Sequence, residues 1–156
     1  MKNKFHVRVD CIFQEPMFNR KDIAFLEKMG FKVMNSPDAN DLVDSTTFLF
    51  GVHLYRDVYA MSLKNNLPAI FVGTGWDVWS NTMSPYEFPE GDLDAIRKMD
   101  ESYKKFAFPE ESNSYIFYAT SIYYRQPTVE QEEMDIDKGA VQANEELGDL
   151  MGQMHI

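Results

Sequence analysis

The feature that most constrains this chain is an alternation of two hydrophobic periods across its first half. Phe5, Val7, Val9, Cys11 and Phe13 recur at a spacing of two with His6, Arg8 and Asp10 between them, broken only by Ile12. That is the pattern of a strand with one buried face, and Gln14-Glu15-Pro16 ends it, because proline cannot donate to a ladder. Asn19 then reads as a helix N-cap with Asp22 three positions on. Ile23, Leu26 and Met29 form the apolar stripe of that helix, widened by Ala24 and Phe25, and Gly30 is placed to close it. Phe31–Met34 predicts a short strand, Asn35-Ser36-Pro37-Asp38 a turn, and Ala39–Val43 a short helix. Thr46–Phe50 predicts a third strand, Tyr55–Leu63 a helix stopped by Asn65-Asn66, and Pro68–Val72 a fourth strand. The continuous apolar run of Pro68–Val72 implies burial on both faces. Strands alternating with helices imply a largely parallel sheet. The expected fold is therefore α/β: a three-layer, Rossmann-like, mostly parallel sheet of four to five strands flanked by helices.

After Gly75 the regularity fades. Ser84–Gly91 reads as a loop, Asp92 as the cap of a helix over Leu93–Phe106, and Phe108–Ser114 as another loop. Tyr115–Tyr124 has strand composition. From Gln126 to the end there are eight acids and one lysine, which accounts for most of the net charge of −10. The expected organisation is one domain over residues 1–126 and an acidic tail over 127–156. The tail reads as a mobile segment, with an amphipathic helix through Val141, Leu147, Leu150 and Met151 as the competing reading.

Charge and hydropathy exclude several classes. No basic stripe matches a phosphate backbone, so direct nucleic-acid binding is not expected. No segment approaches the apolar length of a membrane span, and the N-terminus lacks the apolar core of a signal peptide. A cytosolic or nuclear protein is expected. The lone cysteine, Cys11, excludes an intrachain disulfide and is expected as a buried small apolar residue. No His/Cys/Asp spacing resembles a metal site.

In an open parallel sheet, ligands gather beyond the carboxyl ends of the strands. Four loops should lie there: Gln14–Phe18, Asn35–Asp38, Gly51–Tyr55 and Gly73–Asp77. His53 follows the third strand and is suited to acid, base or ligand-binding work; the competing reading is a histidine that caps a helix or bonds a loop carbonyl. Gly73-Thr74-Gly75-Trp76-Asp77 follows the most buried strand. Its glycines permit a sharp turn or a close approach to a ligand, and its amides suit an anion, but it matches neither a Walker motif nor the full dinucleotide fingerprint. Trp76 and Trp79 read as a roof on the sheet or as stacking surfaces, and Asp77 as a cap or a partner for a ligand hydroxyl. No catalytic triad or Gly-x-Ser-x-Gly elbow is present.

Several segments together resemble the sensitivity-to-red-light-reduced (SRR-like) family. Gln14-Glu15-Pro16-Met17-Phe18 is similar to its D/E-P-x-F/Y turn, and Leu26–Val33 to its L-x-x-L-G-x-x-V, with Met29 in place of the second leucine. Thr47–His53 resembles its apolar strand leading to a histidine, Pro68–Gly73 its next strand, and Thr120–Tyr124 its closing Ser-Ile-aromatic element, especially that of fungal members. The match spans residues 9–125. Members usually begin with one more strand, Gly-rich turn and helix than is seen before Val7–Phe13. The resemblance implies a regulatory role, in a family linked to circadian, haem-synthesis and stress control, more readily than a reaction.

The expected ligand-facing residues are Glu15, Phe18, His53, Gly73, Thr74, Gly75 and Asp77, with no catalytic residue or cofactor assigned. Two function classes follow. One is a non-enzymatic regulatory domain that binds a protein or small molecule, with a homodimer or a strand-pairing partner expected at the exposed edge of the first strand. The other is a Rossmann-like enzyme or nucleotide binder using the same loops. Convergence of Glu15, His53 and Asp77 in one pocket would favour the second, and aromatics filling that space the first.

Overall fold

The computed structural model describes residues 9–82, 91, 93–109 and 115–127. The chain divides into Met1–Arg125 and Gln126–Ile156. Every element below belongs to the first unit. The expected acidic tail from Thr128 onward, the Ser84–Glu90 loop and the Asp92 cap lie outside the described residues.

The first strand–helix–strand unit forms a two-stranded sheet of its own. β1 (Ile12–Phe13) pairs in parallel with β2 (Lys32–Val33), and α1 (Arg20–Lys28) connects them. Asn19 caps α1 as expected: its Oδ1 accepts from the Lys21 and Asp22 amides at 2.8 and 3.3 Å, and Asp22 accepts from the Asn19 amide at 2.9 Å. Gly30 follows the C-cap with φ +88, a left-handed conformation that suits glycine. Phe13 and Phe31 pack with ring centroids 5.2 Å apart. The strand itself is shorter than its alternation implies. Val9 is 76 % exposed and Cys11 is exposed, which corrects the expectation of a buried Cys11. A two-stranded sheet with one helix against it leaves that register without a covering layer.

Gln14 ties this unit to the rest of the fold. Its side-chain amide donates to Asn40 Oδ1 at 3.2 Å and accepts from the Ala39 amide at 2.7 Å, within a 3₁₀ helix over Asp38–Leu42. The buried Ser62 hydroxyl donates to the same Asn40 oxygen at 2.8 Å. Ser62 ends α2 (Arg56–Ser62).

The main sheet has the strand order β3-β4-β6-β5, with β3 (Phe48–Gly51), β4 (Ile70–Thr74), β5 (Lys104–Ala107) and β6 (Thr120–Tyr124). β3 and β4 are parallel, whereas β6 runs antiparallel to both of its neighbours. The expectation of one mostly parallel sheet is corrected accordingly: there are two sheets, and the larger is mixed. The cause is the route taken after β4. The chain passes through α3 (Trp76–Thr82) and α4 (Asp94–Ser102), forms β5 at the sheet edge, and returns as β6 between β5 and β4. The helix expected to run to Phe106 ends at Ser102. Its last expected residues form β5, and Tyr115–Ala119 forms a turn rather than a strand.

The core lies on one face of this sheet. The residues Leu49, Phe71, Tyr123 and Lys105 occupy one row across the four strands. Tyr59 of α2 and Leu63 just after it, Trp79 of α3, and Ile96 and Met99 of α4 pack on that side, and Tyr59, Phe71, Ile96, Met99 and Tyr123 are fully buried. Phe71 and Val72 are 0 % and 2 % exposed, so β4 is buried through both faces as its apolar run implies.

Candidate functional site

β3 and β4 are parallel and in register through Gly51 and Gly73, so the loops that leave them share one rim. β6 enters the sheet at the same rim, since Thr120 pairs with Thr74. The Gly51–Tyr55 loop, the Gly73–Asp77 turn and the Tyr115–Ala119 turn therefore meet there. The Gln14–Phe18 loop belongs to the separate two-stranded sheet. Glu15 is spent locally: its Oε1 accepts from the Met17 amide at 3.0 Å, and its carbonyl accepts from the Phe18 amide at 3.1 Å.

His53 sits exposed in the first rim loop with φ +55. Its Nε2 lies 2.8 Å from the Ile116 carbonyl oxygen. A carbonyl only accepts, so Nε2 carries the proton and Nδ1 is the ring's remaining acceptor in the neutral imidazole. The bond holds the Gly51–Tyr55 loop against the turn before β6. Beside it, Phe50 meets Phe108 and Phe117 at centroid distances of 6.4 and 6.5 Å, and those two rings stack at 4.3 Å.

The glycine turn is filled by the chain's own side chains. A Cβ on Gly73 would lie 2.8 Å from the Gly51 carbonyl oxygen and 2.9 Å from the Tyr59 hydroxyl. One on Gly75 would lie 2.5 Å from Asp77 Oδ1 and 2.9 Å from Ser121 Oγ. Close approach is thus required by internal packing. The amides are engaged in the same way. The Thr74 N–H donates to the Tyr59 hydroxyl at 3.0 Å, and that hydroxyl in turn donates to the Gly51 carbonyl. The Trp76 N–H donates to the Tyr123 hydroxyl at 3.1 Å, which donates to Asp100 Oδ1 at 2.8 Å.

An ion network closes the turn from the side. Lys105 Nζ donates to Asp77 Oδ1 at 2.6 Å and to Asp100 Oδ1 at 3.0 Å. Burial works against the Lys105 charge, but the bonds to Asp77 and Asp100 outweigh it and hold its pKa above the ordinary lysine range. The hydrogen bond from Lys105 holds the Asp77 carboxyl below its usual value. Burial, helped by the bond to Asp100, pushes the Tyr123 phenol up to about 12. A lysine clamped between two carboxylates and a phenol resistant to ionisation are poor nucleophiles and poor bases at neutral pH. The arrangement braces α3 and α4 against β5 and β6.

Of the expected residues, His53, Gly73, Thr74, Gly75 and Asp77 share the rim and its flank, whereas Glu15 and Phe18 belong to the other sheet. Glu15, His53 and Asp77 are each held by a different neighbour. Tyr59, Asp100, Lys105, Ser121 and Tyr123, absent from the sequence-based set, complete the turn. Their only sequence signal is an apolar, helical or strand-like context that does not say where a hydroxyl, carboxylate or ammonium ends. A cleft of ≈ 530 Å³ lies elsewhere, between the end of α2 and the start of α4, and is walled by Leu63, Lys64, Leu67, Gly91, Asp94 and Lys98. None of the expected site residues lines it. Among the described residues, no group of three or more His, Cys, Asp or Glu side chains is placed to hold a metal ion, and no helix is long and apolar enough to cross a membrane.

Comparison with curated proteins finds no match, and comparison with solved structures finds none. The family model of the SRR1 domain matches residues 1–135. With the aligned segments of β3, β4 and β6 all inside that span, the chain belongs to the SRR1 domain family.

Proposed function

We propose that this chain is a non-enzymatic, regulatory interaction domain that works in the cytoplasm or nucleus by contacting another protein. The observation that carries the reading is the occupied turn after β4. Two of the amides that the turn could offer an anion, those of Thr74 and Trp76, are bonded to the hydroxyls of Tyr59 and Tyr123. Both tyrosines are fully buried, so displacing them would disrupt the core. The groups able to carry chemistry are also engaged within the chain: Asp77 with Lys105, and His53 Nε2 with a backbone carbonyl.

A second reading rests on His53. A non-glycine residue at φ +55 is uncommon, and such positions cluster at ligand sites. With Nε2 fixed, Nδ1 would serve a small molecule bound at the rim, as in the Rossmann-like enzyme or nucleotide-binding alternative. A thermal-shift screen with nucleotides, S-adenosylmethionine, haem and divalent metals separates the two. The interaction-domain reading predicts no stabilisation that depends on His53. A compound that raises the melting temperature of the wild type but not of His53→Ala would establish a ligand site and overturn that reading.

A further inference from the structure

We propose that the cleft of ≈ 530 Å³ between the end of α2 and the start of α4 binds a small organic anion with an apolar body, of the class of a medium-chain carboxylate. The site is separate from the rim and goes beyond the protein-contact reading. Its volume falls among those of small-molecule sites, about 300–1,000 Å³. The apolar part of its wall includes Leu63, Leu67 and Ala95. Leu63 is buried in the core cluster, and Leu67 and Ala95 pack against that cluster. Core packing therefore fixes the position of the apolar wall.

The charges on the wall select the sign of the occupant. Lys64, just beyond α2, and Lys98 of α4 both line the cleft, and both are exposed. Among the described residues, neither ammonium has a carboxylate partner. The acid that shares the wall, Asp94, is already engaged: Arg97 Nη2 donates to its Oδ1 at 2.7 Å. Two uncompensated lysines thus line one cleft on a chain of net charge −10. A carboxylate relieves that local excess of positive charge, and a hydrocarbon chain attached to it covers Leu63 and Leu67. Exposed ion pairs are individually weak, so burial of the chain supplies most of the affinity and the lysines supply the selectivity for an anion. A neutral ligand would leave both ammonium groups unused, and a small inorganic anion would leave the apolar wall unused.

The test is a titration of the isotope-labelled full chain with octanoate, octanol and acetate, followed by backbone amide chemical shifts. Octanoate should give saturable shifts at Leu63, Lys64, Ala95 and Lys98, and acetate none. Octanol, with the same body and no charge, should bind about tenfold more weakly, as expected for the loss of two exposed ion pairs. Lys64→Gln and Lys98→Gln should each weaken octanoate by about two- to fivefold, and the double variant by about tenfold, with unchanged circular dichroism. Higher salt should weaken octanoate binding and leave octanol unaffected. His53→Ala should bind octanoate as the wild type does, which keeps this result independent of the thermal-shift screen at the rim. No saturable shift with octanoate overturns the proposal. So does octanol binding as well as octanoate, octanoate binding that survives the double lysine variant, or a dependence on His53.

Discussion

Tyr123 shows how much of this fold rests on single polar atoms. Its hydroxyl accepts from the Trp76 amide and donates to Asp100, within reach of the Lys105 ammonium. Tyr123→Phe keeps the ring against Phe71 but strands the Trp76 N–H, which costs about 1–3 kcal/mol. Urea unfolding followed by circular dichroism should show a loss of that size, and an unchanged midpoint would mean that the bond contributes nothing. The same hydroxyl predicts a pH dependence. Its folded pKa of about 12 lies above the ordinary 10.0, so the fold favours the protonated phenol. That contribution is complete below pH 10, where the unfolded phenol is also protonated, and is lost as pH rises through about 12. Lys105 adds in the same direction, since its pKa is also raised. Unfolding midpoints measured from neutral to alkaline pH should fall less steeply for Tyr123→Phe than for wild type. These roles were not legible in the sequence, where Tyr123 is one aromatic among several in a strand. The rim position of His53, Gly73 and Asp77 was legible, because loop positions after strands depend on local pattern alone.

At the scale of elements, the parallel β3–β4 pair is pinned by the close passage of its two glycines. A Cβ on Gly73 would meet the Gly51 carbonyl at 2.8 Å, a backbone atom that can move only with the strand. A Cβ on Gly51 would meet chiefly Leu54 Cδ1 at 2.7 Å, the end of a flexible side chain. Gly73→Ala should therefore destabilise by about 1–3 kcal/mol, the usual range for overpacking, and Gly51→Ala by clearly less. Equal losses in thermal or chemical unfolding would contradict this packing. Elements set by near neighbours were readable from their residues: the Asn19 cap, the position of α1, the Pro16 stop and the Ile70–Val72 run, whereas the α1 stripe buries none of its residues and leaves Met29 and Phe25 exposed. Those set by distant partners were not. Lys104–Ala107 continues a helical pattern on paper, and only pairing with β6 makes it a strand. Likewise, nothing local in Tyr115–Tyr124 distinguishes the five residues that pair from the five that turn.

For the whole molecule, the parallel units foreseen from the alternating pattern are present, but they are distributed between two sheets. The insertion of β6 between β4 and β5 makes the larger sheet mixed and brings a turn from late in the chain to the rim beside His53. That insertion is a property of the tertiary route, and no periodicity encodes it. Its consequence is a rim packed with the chain's own tyrosines and phenylalanines. The protein-contact reading proposed above rests on that packed rim.

Amide hydrogen exchange at Thr74 and Trp76 in the ligand-free protein tests the occupied turn most directly. Both amides should exchange slowly. Tyr59→Phe should release Thr74 alone, and Tyr123→Phe should release Trp76 alone. Fast exchange at both positions in the wild type, slowed by added phosphate or nucleotide, would show an open anion site and contradict the account.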